Sequence, residues 1–142
     1  MILGFTGTRR GMTDAQKASV RVLLDRIRPA TVHYGGAIGA DADFVAIVAS
    51  MRWEQVGETP WVIKHPCDIP HQQASGDLAD EIVAAKAPLE RNRDIVDASV
   101  GLIACPQGFV EEQRSGTWAT IRYARRLSQR VIIVWPDGRT EG

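Results

Sequence analysis

The sequence lacks a net charge, a cysteine framework and any long hydrophobic run. Its 17 lysines and arginines equal its 17 acidic residues, so no strong overall field draws it to nucleic acid or to an anionic membrane. It has two cysteines, Cys67 and Cys105, whose spacing suggests no disulfide framework. No apolar run approaches the length that spans a bilayer. These absences disfavour membranes and nucleic acid as partners.

The size and composition of the chain fit a single globular domain. Its 142 residues can bury a hydrophobic core, and hydrophobic residues make up 44% of them. The apolar part of the N-terminus is too short for a signal peptide. We therefore predict one domain, 1–142, in a cytoplasmic protein.

Short apolar runs alternate with segments of helical periodicity. The predicted strands are 2–6, 31–34, 61–64, 100–105 and 131–135, and the predicted helices are 13–28, 41–53, 89–98 and 117–127. Thr13, with Gln16 three residues later, is the predicted cap of the first helix. Segment 67–88 is less regular and contains a helix-capable piece, 78–86, within a loop or lid. The alternation predicts an α/β fold with a doubly wound, mostly parallel, Rossmann-like sheet of about five strands.

Glycine-containing turns follow three of the predicted strands. In a doubly wound sheet, ligands bind beyond the carboxyl ends of the strands, where the strand order reverses. Glycine lets the backbone approach a ligand, helix N-termini offer N–H groups to an anion, and arginine adds positive charge. The candidate ligand-binding residues of these turns are Gly7, Thr8, Arg9, Arg10, Gly35, Gly36, Gly39, Asp41, Ser115, Gly116 and Thr117.

Each candidate also has a purely structural interpretation. The Gly-Gly turn lacks the full spacing of a dinucleotide fingerprint, and Asp41 and Ser115 would both be ordinary helix N-caps. Arg91 and Arg93 have the spacing of a solvated helix face. Trp118 would be a core side chain, or it could flank a ligand base because it follows the Gly-Thr step directly.

His65, Cys67 and His71 lie close together in the sequence but do not have the spacing of a metal site. The pattern H-x-C-x-x-x-H matches no standard zinc motif, and a fourth ligand is missing. No Ser-His-Asp arrangement can be assigned either. We therefore predict no metal, no cofactor and no assigned catalytic residue.

Four segments together resemble the SLOG superfamily: GFTGTRRGMT, HYGGAIGADADF, PLERNRDIVDASVGLIACP and RSGTWATIRYAR. That superfamily includes the Lonely Guy cytokinin-activating hydrolases, the molybdenum-cofactor carrier proteins and the Rossmann-like domain of DNA-processing protein A. The GGAIGAD turn is similar to that of small bacterial and phage members. The resemblance implies a nucleotide or nucleotide-derived ligand at the glycine-rich edge, in a homo-oligomer. It also implies a site role for Arg91, with its neighbour Asn92, because L-E-R-N stands where the hydrolases carry H-E-R-K.

One departure from the hydrolase pattern bears on activity. The hydrolases carry P-G-G-x-G-T-x-x-E, and the glutamate takes part in cleaving the N-glycosidic bond. Thr120 stands at that position here, and a threonine cannot act as a carboxylate acid or base. Glu90, Glu111 or Glu112 could substitute, but their spacing does not show it.

Three functions remain open on the sequence. The favoured one is a binding protein that holds a nucleotide-like ligand, of the ADP-ribose or cyclic-nucleotide type, for sensing, carriage or sequestration. The second is a nucleotide N-glycosidase or phosphoribohydrolase with a displaced carboxylate. The third is single-stranded DNA binding, which the neutral net charge disfavours.

Overall fold

The computed structural model describes residues 1–51, 59–76 and 78–142. Within these ranges seven strands form one sheet. The strands are β1 (Ile2–Gly7), β2 (Thr31–Tyr34), β3 (Trp61–Lys64), β4 (Glu81–Ile82), β5 (Gly101–Cys105), β6 (Arg130–Val134) and β7 (Thr140–Glu141). The helices are α1 (Asp14–Ile27), α2 (Ala40–Ser50), α3 (Pro88–Asp97) and α4 (Gly116–Arg126), with a short 3-10 helix at Pro70–Gln72. None of the helices in the described part of the chain is long and apolar enough to cross a membrane.

The order of the strands creates a switch point at the centre of the sheet. The order is β4-β3-β2-β1-β5-β6-β7, so the chain winds outward from β1 in one direction and from β5 in the other. All neighbouring pairs are parallel except β6 and β7, which are antiparallel. The carboxyl ends of β1 and β5 therefore flank the crevice where such sheets bind ligands.

Helices cover both faces of this sheet. On one face, α1 and α2 bury apolar side chains such as Leu24 and Phe44 against Phe5 and other strand residues. On the other face, α4 and the end of α3 bury Ile121 and Val96. The predicted capping box of α1 is confirmed, because the Thr13 side chain accepts the Gln16 N–H while the Gln16 side chain accepts the Thr13 N–H.

Two sequence expectations about the fold are corrected. The sheet has seven strands in the described ranges rather than about five, because the short edge strands β4 and β7 were not predicted. The helix-capable piece 78–86 contains β4 and no helix among its described residues. Asp80 explains why, since its backbone N–H donates to Val62 O and its carboxylate accepts the Val62 N–H. Pairing with the edge of β3 overrides local helix propensity there.

The boundaries of the predicted helices move by a few residues. Helix α2 ends at Ser50, whereas the predicted helix ran on to Trp53, which lies outside the described residues. Asp41 is not the N-cap of α2, as the structural interpretation had it, because Gly39 holds that position. Ser115 does cap α4, since its hydroxyl accepts the Trp118 N–H at 3.2 Å.

Candidate functional site

A cleft of about 740 Å³ opens at the carboxyl ends of β1 and β5. It lies at the switch point of the sheet and is bounded by the turn after β1, the first turn of α3 and the loop that leads into α4. Eleven of the residues singled out in the sequence line it together. They are Gly7, Thr8, Arg9, Arg10, Gly35, Asp41, Arg91, Asn92, Ser115, Gly116 and Thr117.

Three of the predicted residues lie outside the cleft lining, namely Gly36, Gly39 and Trp118. Trp118 is 3% exposed and its ring contacts that of Trp135, with centroids 5.9 Å apart, so it belongs to the core. Gly39 instead lies against the backbone of Arg9, where an added Cβ would come within 2.2 Å of the Arg9 carbonyl oxygen. Gly39 therefore allows the turn before α2 to pack against the turn after β1, and the latter turn lines the cleft.

Some backbone N–H groups of the two turns that line the cleft have no acceptor among the described residues. Thr8 N–H donates to Cys105 O at 3.0 Å, and Arg10 N–H donates to the Thr8 hydroxyl at 3.1 Å. No acceptor among the described residues takes the N–H groups of Arg9, Gly116 or Thr117. The last two belong to the first turn of α4, whose dipole places partial positive charge at the same point. The cleft therefore has the donors and the field that an anion requires.

Arg91 projects from α3 into the cleft although it is only 6% exposed. Its Nη1 donates to Gly35 O at 2.8 Å and to His65 O at 3.1 Å, and its Nε donates to Asn92 Oδ1 at 2.7 Å. Its Nη2 has no acceptor, and the guanidinium forms no ion pair, within the part of the chain that the structure describes. A buried cation with carbonyl partners only is poised for an anionic ligand.

Asp41 is the second charged side chain buried at the cleft. Its Oδ2 accepts the Ala37 N–H at 3.0 Å. Burial raises the pKa of this carboxyl to about 6, although the Ala37 N–H and the positive charge of Arg91 oppose the rise. Only glycine allows this arrangement at position 35, since an added Cβ there would lie 2.6 Å from Arg91 Nη1 and 2.8 Å from Asp41 Oδ2.

The more exposed charges at the cleft are held in different ways. Arg9 donates to the side chain of Gln72 at 2.7 Å, which ties the turn after β1 to the 3-10 helix. Glu112 lines the cleft and its carboxylate accepts from Gln107 at 2.9 and 3.1 Å. Glu111 points elsewhere, because it pairs with Arg122 at 2.8 Å. Glu112 is thus the glutamate that the structure brings to the cleft among those considered from the sequence.

Thr120 is 2% exposed and lies on the side of α4 that faces α3. Its hydroxyl donates to Gly116 O at 2.8 Å, a hydrogen bond within the helix, and it does not line the cleft. The residue at the position of the hydrolase glutamate therefore offers no proton donor or acceptor to a ligand in the cleft.

The three side chains considered as metal ligands lie in different environments. No group of histidine, cysteine, aspartate or glutamate in ranges 1–51, 59–76 and 78–142 could hold a metal ion. Cys67 is buried and accepts from Gln73 Nε2 at 3.0 Å, and His71 is exposed. His65 forms a hydrogen bond with another histidine instead, a contact that no pattern in the sequence indicates.

A buried pair of histidines lies next to Arg91, whose guanidinium donates to the carbonyl oxygen of His65. His33 Nδ1 and His65 Nε2 are 2.8 Å apart, and each residue is 7% exposed. Burial lowers the pKa of His33, and burial together with His33 lowers the pKa of His65 to about 4. Both rings are therefore neutral at pH 7, with one donating to the other.

We expect the histidine pair to make the protein sensitive to acid. Because both pKa values are lowered in the folded state, the unfolded state takes up protons first, and stability is lost as pH falls from about 6.5 to about 4. The loss should be about 3 kcal/mol in the free energy of unfolding, most of it from His65. Urea unfolding of the wild type and of the His33→Gln/His65→Gln variant across this range measures it as a difference between the two curves.

Asp41 acts in the opposite direction and must be removed from the comparison. Its pKa is raised to about 6, so its burial costs stability as pH rises from 3.8 towards 6. Both proteins should therefore carry Asp41→Asn. His71→Gln is the matched control, since it replaces an exposed histidine outside the pair. Parallel curves for the histidine double variant and its parent would contradict the expectation.

The fold has solved relatives. The molybdenum cofactor binding protein from the phototrophic bacterium Rippkaea orientalis matches with a TM-score of 0.65 and 19% sequence identity, covering 94% of this chain and 76% of that one. The structural-genomics target TM1055 matches with a TM-score of 0.61 and 15% identity, covering 92% and 71%. At these identities the likeness shows the fold alone, which is a Rossmann-like α/β fold. No family model and no curated protein matches the sequence.

Proposed function

We propose that the chain binds a nucleotide or nucleotide-derived ligand in the cleft and holds it for sensing, carriage or sequestration. The observation that carries this proposal is the convergence, at the switch point of the sheet, of donors that have no acceptor among the described residues. The N–H groups of Arg9, Gly116 and Thr117 and the buried guanidinium of Arg91 line one cleft. Phosphate is the anion whose oxygens such a set of donors matches.

The rest of the cleft fits the uncharged parts of a nucleotide. Asp41 offers a carboxylate to ribose hydroxyls, and Asn92 offers an amide. Pro88 and Leu89 add apolar surface at the start of α3, where a base could stack, and Leu89 is 58% exposed. The volume of about 740 Å³ lies within the range of small-molecule sites and suits a ligand of the ADP-ribose or cyclic-nucleotide type.

The position of Thr120 favours binding of the ligand without hydrolysis. Its hydroxyl is used within α4, so α4 supplies no acid or base at the position of the hydrolase glutamate. Cys105 supplies no nucleophile either, because it is buried and burial raises the pKa of its thiol.

A nucleotide N-glycosidase is the second candidate, and the carboxylate of Glu112 is the observation in its favour. Glu112 lines the cleft on the loop before α4, with a side-chain amide as its partner. Incubation with AMP, NAD and ADP-ribose should release base or ribose phosphate if this candidate is correct. Loss of that activity in Glu112→Gln, with folding retained, would assign the carboxylate.

We also propose membership of the SLOG superfamily, one domain over 1–142, a cytoplasmic location and a homo-oligomeric state. The loop that leads into α4 supports the oligomer. Phe109 and Val110 in that loop are 54% and 71% exposed, and contact with a second copy would cover them next to the cleft. The molar mass in solution, measured by light scattering, tests this part of the proposal.

We expect a bound nucleotide to raise the melting temperature by about 8 °C at a concentration one hundred times its Kd. That concentration stabilises the folded state by about 2.7 kcal/mol, and each kcal/mol moves the midpoint of a chain of this size by about 3 °C. Differential scanning fluorimetry with AMP, cyclic AMP, NAD and ADP-ribose measures the shift, and native mass spectrometry of the purified protein tests for a retained nucleotide. A panel with no shift and no retained ligand would refute the proposed function.

A further inference from the structure

A second groove lies between α3 and α4, beside the cleft. Its volume is about 110 Å³, and Arg93, Arg122 and Arg126 contribute three of the side chains that line it. Leu89 and Asn92 line the groove and the cleft alike, so the two spaces adjoin along the first turns of α3. A ligand that occupied the cleft could therefore extend into the groove.

Two of the three arginines in the groove form no ion pair with an acidic residue in the described part of the chain. Arg93 and Arg126 both lie over the ring of Tyr123, with guanidinium carbons 5.2 and 5.7 Å from its centroid. Neither forms an ion pair among the residues that the structure describes, whereas Arg122 pairs with Glu111. The hydroxyl of Tyr123 donates to Asp97 Oδ1 at 2.6 Å, which fixes the position of the ring that both cations contact.

The guanidiniums of Arg93 and Arg126 are therefore two positive charges that contact the same ring. Two cations on one ring repel each other, and the attraction of each to the ring offsets only part of that repulsion. An anion between them would turn the repulsion into two favourable contacts, and arginine is well suited to bind phosphate oxygens in pairs.

Asn92 connects the groove to the cleft chemically as well as spatially. Its Oδ1 accepts from Arg91 Nε at 2.7 Å, so its amide nitrogen points away from that guanidinium. The amide N–H groups have no acceptor in the described ranges. They are donors at the boundary of the two spaces, where the middle of an extended ligand would lie.

We infer that the groove binds a second anionic group of the ligand whose first phosphate lies in the cleft, an inference that rests on the proposed function. The groove, at about 110 Å³ against about 740 Å³ for the cleft, is by far the smaller space, and its size and its arginines suit a phosphate group. The ligand class is therefore a nucleotide with a further phosphate, such as a nucleoside bisphosphate or a dinucleotide with two separate phosphates.

The test compares AMP with adenosine 3′,5′-bisphosphate by isothermal titration calorimetry. The wild type should bind the bisphosphate at least 10-fold more tightly than AMP. In the Arg93→Gln/Arg126→Gln variant this preference should fall to about 2-fold or less, while the affinity for AMP stays the same. The dinucleotide pApA should show the same preference and the same loss.

Arg125→Gln/Arg139→Gln is the matched control. Both side chains are exposed and lie outside the groove, Arg125 on the same helix, and the change in net charge is the same. A preference that falls equally in this control would reduce the effect to overall charge and overturn the inference. So would a wild type that binds the bisphosphate no better than AMP, or an affinity for oligothymidylate that rises with length beyond two nucleotides.

A titration with inorganic phosphate separates failure here from failure of the proposed function. Phosphate should shift the amide resonances of two groups of residues, one at Gly116 and Thr117 and one at Arg93 and Tyr123. Shifts at the second group alone, with no nucleotide bound, would refute the nucleotide proposal and leave an anion site in the groove. Shifts at the first group alone would overturn the groove.

Discussion

Replacing Gly39 with alanine should lower the free energy of unfolding by about 3 kcal/mol. Gly39 has a φ of +87° and a ψ of −127°, a conformation that residues with a side chain rarely adopt, and that strain alone costs about 1–3 kcal/mol. An added Cβ would also lie 2.2 Å from the oxygen and 2.4 Å from the carbon of the Arg9 carbonyl. Backbone atoms cannot rotate away, so the turn after β1 would have to move.

The chain offers a matched control for this substitution. Gly76 has a φ of +90°, and an added Cβ there meets nothing within 4 Å. Gly76→Ala therefore has the conformational strain without the clash, and we expect a loss of about 1 kcal/mol. Urea unfolding followed by circular dichroism measures both variants. Equal losses would show that the contact between Gly39 and Arg9 does not constrain the turn.

The same substitution should weaken ligand binding, although Gly39 does not line the cleft. Ala40 N–H donates to Thr8 O at 2.9 Å, so the start of α2 and the turn after β1 are positioned together. A shift of that turn moves the unpaired N–H of Arg9 away from the first turn of α4. Nucleotide should therefore raise the melting temperature of the Gly39→Ala variant by less than it raises that of Gly76→Ala.

The central strands and the helices could be predicted because apolar residues occupy their buried positions, with the spacing typical of each type of element. Strand β5 is buried along its whole length, and Thr13 and Gln16 form the cap that their spacing indicates. The edge strands β4 and β7 are two exposed residues each, so no hydrophobic pattern marks them. They exist because neighbouring strands offer backbone partners, and that information is tertiary.

The site likewise contains residues that could be predicted from the sequence and residues whose role depends on tertiary contacts. The turn after β1 and the loop that joins β5 to α4 could be placed at one edge from topology alone, and Thr8 and Gly116 both line the cleft. Arg91 could not, because its spacing in the sequence is that of a solvated helix face, and only the family resemblance implied a role. The His33–His65 contact joins residues that are 32 positions apart, and no local pattern indicates it.

Replacing Arg91 with glutamine should weaken the binding of a 5′-nucleotide by about 100-fold. The guanidinium is buried in the cleft, its Nη2 has no acceptor among the described residues, and charge-assisted hydrogen bonds to phosphate are worth about 1.5–3 kcal/mol. Arg91→Lys keeps the charge but loses the planar fork, so its affinity should fall by about 10-fold. Isothermal titration calorimetry with AMP measures all three proteins.

Arg114→Gln is the control for charge at the cleft, because Arg114 lines it but is exposed to solvent. We expect a loss of affinity of about 3-fold, since solvent screens an exposed cation. Arg91→Gln also leaves Gly35 O and His65 O without their donor, which should cost about 1–2 kcal/mol of stability. Titrations at 15 °C, with folding checked by circular dichroism, separate that cost from binding. A folded Arg91→Gln variant that binds AMP as the wild type does would remove Arg91 from the site.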